Sequence, residues 1–225
     1  MSAHFQREIS KLKQQVLSLC AMVEGQVEKA VRAVQLRDDD LAAEVEKLDE
    51  DIDLREIEVE EECLKTLALY QPVAVDLRFI VSTLKINHDL ERIGDLAVNI
   101  ARKVHGLVID PPPELTCDLG LMCEKTQFLL RDAIDALVSM NAANAAVICT
   151  RDDEIDQMKA TIRKEIETEI RQRPEKVGPL LRLLAVSRNL ERIGDLATSI
   201  AEDVVYLVEG RIMRHPGLTA GRNGG

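Results

Sequence analysis

The residues best suited to chemistry are carboxylates, and they come in pairs four positions apart. Glu91 and Asp95 fall within Leu90-Glu91-Arg92-Ile93-Gly94-Asp95-Leu96-Ala97. That phrase returns letter for letter from Leu190 to Ala197 and there carries Glu191 and Asp195. Two further pairs, Asp49/Asp53 and Asp152/Asp156, precede the two copies. On a helix, residues four apart share a face with β-carbons about 6 Å apart, and like charges so placed cost a few tenths of a kcal/mol. A single pair on a solvated helix face therefore needs no special cause. Converging pairs without nearby Lys or Arg repel more strongly, and a hard or borderline cation held by oxygen ligands is the natural relief.

The elements that carry these pairs are helical. Apolar residues recur in alternating three- and four-residue steps at Ile9, Leu12, Val16, Leu19, Val23, Val27, Val31 and Val34, which predicts a helix from about His4 to Arg37. Asp38 to Asp40 supply cap chemistry for a second helix, from about Asp39 to Leu69, and Gln71-Pro72 ends it. A third is predicted from about Ala74 to Val108. Three consecutive prolines, Pro111 to Pro113, form a linker near the midpoint. The plan then repeats with helices from about Glu114 to Met140, Ala143 to Arg173 and Lys176 to Glu209, with Pro174 standing where Pro72 stood.

The two halves align throughout. Asp49-Glu50-Asp51-Ile52-Asp53 matches Asp152-Asp153-Glu154-Ile155-Asp156 at a shift of 103, and the repeated phrase matches at a shift of 100. Self-similarity at that period marks tandem structural units. The expected fold is all-α, a tandem repeat of two three-helix bundles over residues 1–110 and 114–210, with a flexible tail over 211–225.

Register brings the pairs together. Asp53 lies 19 residues before Pro72 and Glu91 lies 19 after it; Asp49 and Asp95 are each 23 away. In an antiparallel hairpin these four carboxylates stand at one level. Around Pro174 the separations are 18 and 22 before, 17 and 21 after. With about 100° per residue, Glu91 and Asp95 point away from the apolar seam of their helix, so each cluster is expected on an exposed or groove-level face. Glu202, seven residues beyond Asp195, is an additional ligand candidate; its counterpart is Arg102, which makes the two clusters differ in charge. His88 is a weaker candidate, since Arg188 stands at the aligned position. Gly94 and Gly194 each cost a helix about 1 kcal/mol relative to Ala, for which close helix packing and clearance beside the carboxylates are alternative causes.

Composition sets the limits. Only 2% of the 225 residues are aromatic, and 31% are charged, which suits long helices on aliphatic seams. A formal charge of −11 argues against nucleic-acid binding, which needs a basic surface. Five cysteines without a C-x-x-C are expected to be buried thiols in a reducing compartment. Neither an 18-residue apolar run nor a signal-peptide core is found, so the expectation is a soluble, cytoplasmic protein. Metalloprotease and phosphate-loop motifs are missing. So is the Glu-x-x-His of bundle di-iron enzymes. The chain is therefore expected not to be an enzyme; a carboxylate-bound metal-dependent enzyme and a purely structural helical interaction protein are the alternatives.

The doubled L-E-R-I-G-D-x-A-x-x-I-A, followed by Ala201-Glu202-Asp203-Val204-Val205-Tyr206-Leu207-Val208-Glu209-Gly210, resembles the PhoU family over nearly the whole chain. The resemblance implies multinuclear metal clusters of iron or zinc on Asp49, Asp53, Glu91, Asp95, Asp152, Asp156, Glu191 and Asp195; the oxygen donors themselves also suit Mg or Mn. It further implies negative regulation of phosphate uptake and of the phosphate-starvation response. The implied partners are the phosphate ABC transporter, through its ATPase subunit PstB, and the sensor histidine kinase PhoR. A homodimer reaching the membrane only through those partners is also implied.

Overall fold

The computed structural model describes residues 3–110 and 118–213, apart from the side chains of Ala3 and Asp152, and every regular element among them is helical. The first half contains α1 (Ala3–Leu36), α2 (Asp39–Tyr70) and α3 (Ala74–Ile109). The second contains α4 (Leu119–Val138), α5 (Ala142–Ile148), α6 (Asp152–Gln172), a 3-10 turn (Pro174–Lys176) and α7 (Val177–Glu209). The tail expected over 211–225 lies outside the described residues from 214 onward, as do the linker prolines.

Local chemistry accounts for the ends. Asp38 caps α2 by accepting from the Leu41 amide at 3.0 Å, and Asp118 caps α4 by accepting from the Leu121 amide at 2.8 Å. Gln71 closes α2 in the left-handed conformation (φ 46°), its N–H reaching the Leu67 carbonyl, and Pro72 prevents continuation. Gly210 (φ 72°) ends α7 in the same manner, donating to Tyr206 at 2.9 Å. Arg37 donates to the backbone carbonyl of Asp110, and Arg182 to its carboxylate.

The apolar stripes define the packing. Leu12, Leu19 and Val23 of α1 are wholly buried, as are Val45 and Val59 of α2. α3 packs on α1 and α2, and α7 on α4, α5 and α6, while α3 and α7 lie against each other at the centre. One continuous core results. Polar contacts cross it: Lys85 of α3 lies 3.4 Å from the buried Asp203 of α7 and 5.3 Å from the Tyr206 ring centroid. Arg131 of α4 lies 2.8 Å from Glu24 of α1. Cys20, Cys63 and Cys123 are buried free thiols, pushed up to about 12 chiefly by that burial, and Cys149 is half-buried; Cys117 lies outside the described residues.

One expected element is divided. The helix expected from Ala143 to Arg173 is two helices, α5 and α6, separated by Cys149, Thr150 and Arg151. The cause is local. The amides of Thr150 and Arg151 turn back three residues, to Val147 and Ile148, and the Thr150 hydroxyl donates to the Val147 carbonyl at 2.8 Å. Hydroxyl competition for backbone carbonyls of this kind favours turns over helix interiors.

Glu62 makes the fold acid-sensitive. It is buried on α2, with Lys11 Nζ 2.6 Å from one oxygen and Lys65 Nζ 3.1 Å from the other. The Lys11 hydrogen bond outweighs burial and holds its carboxyl down at about 2, against an ordinary 4.5. A carboxylate with a depressed folded-state pKa stabilises above its unfolded value and loses that contribution as pH falls from about 4.5 through about 2. Linkage limits the contribution to about 3 kcal/mol, and screening at the half-exposed lysines reduces it to about 2. Glu62→Gln is therefore expected to lower stability near neutrality by about 2 kcal/mol and to flatten the acid limb of a urea-midpoint-against-pH curve. An unchanged acid limb would contradict this role.

Candidate functional site

The α2–α3 hairpin brings the first four acids to one face. Asp53 and Asp95 are exposed, and Asp49 and Glu91 are half-buried, as expected for a groove-level cluster. Burial raises the Asp49 carboxyl above its ordinary value, and the charges of Asp53 and Asp95 push in the same direction. Burial likewise raises Glu91, followed by Asp95, with Glu56 and Asp53 adding to it. These mutual effects across α2 and α3 bear out the register counted from Pro72.

The group is larger than the four. Glu56, three residues beyond Asp53 and so on the same helix flank, is raised by burial, then by Glu60, with Asp53 contributing. The buried Asn87 amide donates to its backbone carbonyl at 3.0 Å and its carboxylate at 3.2 Å. His88 Nδ1 lies 3.8 Å from Glu91 and works against the rise of both Glu91 and Glu56. Arg102 also acts on Asp49, in the opposite sense to the acids. Arg102 reaches Glu46 at 3.8 Å, and His105 is held between Asp39 (2.5 Å) and Glu46 (2.8 Å).

Beneath the acids lies Gln26 of α1, wholly buried. Its Nε2 donates to the Val45 carbonyl at 3.2 Å and contacts Asp49 Oδ1 at 3.4 Å, while its buried Oε1 has no hydrogen-bond partner. Gly94 is where α3 meets this amide. A β-carbon there would sit 3.1 Å from Gln26 Oε1 and 3.4 Å from Ile52 Cγ2. Of the two causes considered for this glycine, these contacts support the close approach of α3 to α1 and α2.

The second cluster differs. Asp156 and Asp195 are exposed and Glu191 is half-buried, matching their counterparts; the Asp152 side chain lies outside the described residues. Lys159 stands between them, its Nζ 2.5 Å from Glu191 and 3.5 Å from Asp156. The Glu191 hydrogen bond is the main cause of its raised pKa. Lys159 aligns with Glu56 at the shift of 103, so the position was available in the sequence. Gln26 also left a signal, a polar residue on an apolar seam three positions after Val23. Glu202 is half-buried on α7 and acts electrostatically on Cys149, at the α5–α6 break.

The first donor set suits a cation in chemistry, with oxygen ligands that repel one another and an orphaned buried amide oxygen beneath them. As they stand, no three His, Cys, Asp or Glu side chains among the described residues are gathered closely enough to hold a metal ion. A cation would have to draw these exposed side chains inward.

Two tandem helical halves, α1–α3 and α4–α7, each carrying one copy of the same eight-residue phrase, define a specific class of helical protein. The family profile described as the PhoU domain matches residues 16–104 and again 119–204. The chain belongs to the PhoU family. It is 36% identical over 219 residues to the phosphate-specific transport system accessory protein PhoU homolog of Pseudomonas putida, covering 97% of this chain and 86% of that one. The protein of that name from Aquifex aeolicus is 34% identical, covering 93% and 95%. The crystal structure of PhoU from Pseudomonas aeruginosa superposes with a TM-score of 0.89 at 35% identity, covering 92% of this chain and all of that one. The phosphate transport system regulatory protein PhoU from Streptococcus pneumoniae gives 0.85 at 30% identity, covering 92% and 98%. No helix among the described residues is long and apolar enough to cross a membrane.

Proposed function

We propose that this chain is an accessory regulator of phosphate-specific transport, restraining phosphate uptake and the phosphate-starvation response when phosphate is plentiful. The observation that carries this reading is full-length similarity, across both repeats, to relatives named as accessory proteins of that transport system. It acts in the cytoplasm as a homodimer, coupling the transporter's ATPase subunit (PstB) to the sensor histidine kinase (PhoR). Its long helices are a scaffold for partners. The net charge of −11 directs it toward basic partner surfaces.

The acidic faces hold metal ions in this reading, iron or zinc by the family resemblance, with Mn or Mg compatible with oxygen-only ligands. Asp49, Asp53, Glu91 and Asp95 are the ligands in the first repeat; Asp152, Asp156, Glu191 and Asp195 are the corresponding residues in the second, where Glu202 is an additional candidate. A bound ion would neutralise the mutual repulsion and fix the spacing of α2 and α3. Deleting the gene should raise expression of phosphate-starvation genes during phosphate-rich growth. Unchanged expression would contradict the regulatory role.

A further inference from the structure

The open end of the α2–α3 hairpin, opposite Pro72, is closed by a histidine. His105, near the end of α3, places Nδ1 2.5 Å from Asp39 and Nε2 2.8 Å from Glu46, both near the start of α2. A neutral imidazole has one N–H and one acceptor nitrogen, so it can donate to only one of two carboxylates and turns a lone pair toward the other. Only the imidazolium donates to both. The two hydrogen bonds, led by that of Asp39, raise the His105 pKa above the ordinary 6.5. Among the described residues, His4 and His88 form ion pairs through Nδ1 alone, at 3.9 and 3.8 Å. Lys47 and Glu50 of α2 share the cleft with His105. Arg102 of α3 lies 3.8 Å from the other oxygen of Glu46. Arg182 of α7 lies against Gly106 and pairs with the Asp110 carboxylate, while Arg37, just after α1, takes the Asp110 carbonyl.

The second half closes the same junction with different chemistry. Asp38 and Asn141 cap α2 and α5 at the shift of 103. That shift places Ala142 and Cys149 where α2 has Asp39 and Glu46, and the shift of 100 places the wholly buried Val205 where α3 has His105. The one titratable group of the three, the Cys149 thiol, is pushed up to about 11 chiefly by burial. We propose that His105 is a pH-sensitive latch confined to the first half: as the imidazolium it ties the start of α2 to the end of α3, and on losing its proton it releases one carboxylate and loosens that end of the hairpin. Histidine is the side chain whose charge changes in this range. A group whose folded-state pKa is raised contributes fully below its unfolded value, here near 6.5, and loses that contribution as pH rises through the raised value. The corresponding end of the second half stays closed over the same range.

The full chain is titrated through and beyond the ordinary histidine range while its imidazole proton resonances are followed by NMR. Parent, His105→Gln (which assigns the signal), Asp39→Asn and Glu46→Gln are compared. Amide-exchange protection factors, corrected for the intrinsic effect of pH, are measured over residues 42–47 of α2 and 145–149 of the second half. The expected parent signal titrates above 6.5, and its midpoint moves down in Asp39→Asn and in Glu46→Gln. Protection over 42–47 falls in the parent across that same titration and is low and indifferent to pH in His105→Gln. Protection over 145–149 holds in both. The single-carboxylate variants move the fall over 42–47 to lower pH, which keeps the test decisive if His105→Gln disturbs folding. A His105 midpoint at or below 6.5, a midpoint unmoved by both carboxylate variants, or an equal fall of protection in parent and His105→Gln would overturn the latch.

Discussion

Gly94→Leu is expected to destabilise the protein by about 3 kcal/mol, whereas Gly94→Ala should change stability by less than about 1 kcal/mol. The contrast comes from two opposed effects. Alanine gains about 1 kcal/mol of helix propensity over glycine, and its single β-carbon would meet Gln26 Oε1 at 3.1 Å and Ile52 Cγ2 at 3.4 Å. Contacts that close require a shift of a few tenths of an ångström, which roughly offsets the gain. Leucine adds three more carbons to a seam where Gln26 and Ile52 are both buried. Either α1 and α2 move away from α3, or Gln26 is expelled and loses its bonds to Val45 and Asp49. Urea unfolding of the two variants measures the difference. A leucine variant as stable as the parent would show that the floor beneath the acidic face is not closely packed.

The second large effect concerns cooperativity. Leu90 and Leu190 are wholly buried at equivalent positions of α3 and α7, the two helices that meet at the centre. Truncating a buried leucine to alanine costs about 2 to 5 kcal/mol. Because a single core runs through both repeats, either substitution should move one common unfolding transition, observed alike by helical signal and by hydrogen exchange in each half. Independent repeats would behave otherwise: Leu90→Ala would leave half the signal unfolding at the parent midpoint. Such a biphasic curve would contradict a shared core.

Much of this was legible in the sequence, for identifiable reasons. The α1 stripe from Ile9 to Val31 carries steps that only a helix can bury on one side, and that stripe is buried. The level of Asp49, Asp53, Glu91 and Asp95 followed from counting outward from Pro72, because a hairpin turn fixes register for both its arms. The division of α5 from α6 was not legible, since it depends on whether the Thr150 hydroxyl takes the Val147 carbonyl, a local competition that apolar spacing does not report. Gln26 lay on a predicted seam, where one polar residue among Val23, Val27 and Val31 is easily passed over. Lys159 stood in plain view at the position aligned with Glu56, but its meaning required the 2.5 Å contact with Glu191.

The acidic faces also bear on regulation. If the first cluster takes part in the proposed regulation, its loss should resemble loss of the whole chain. The most direct measurement is phosphate-starvation reporter expression in phosphate-rich medium, in cells lacking the gene and complemented either with the parent chain or with Asp49→Asn/Asp95→Asn. Equal protein levels are verified by immunoblot. The predicted result is repression restored by the parent and lost with the double variant. Full repression by the double variant would contradict a regulatory role for the first cluster, and failure of the parent itself to repress would contradict the phosphate-regulator account.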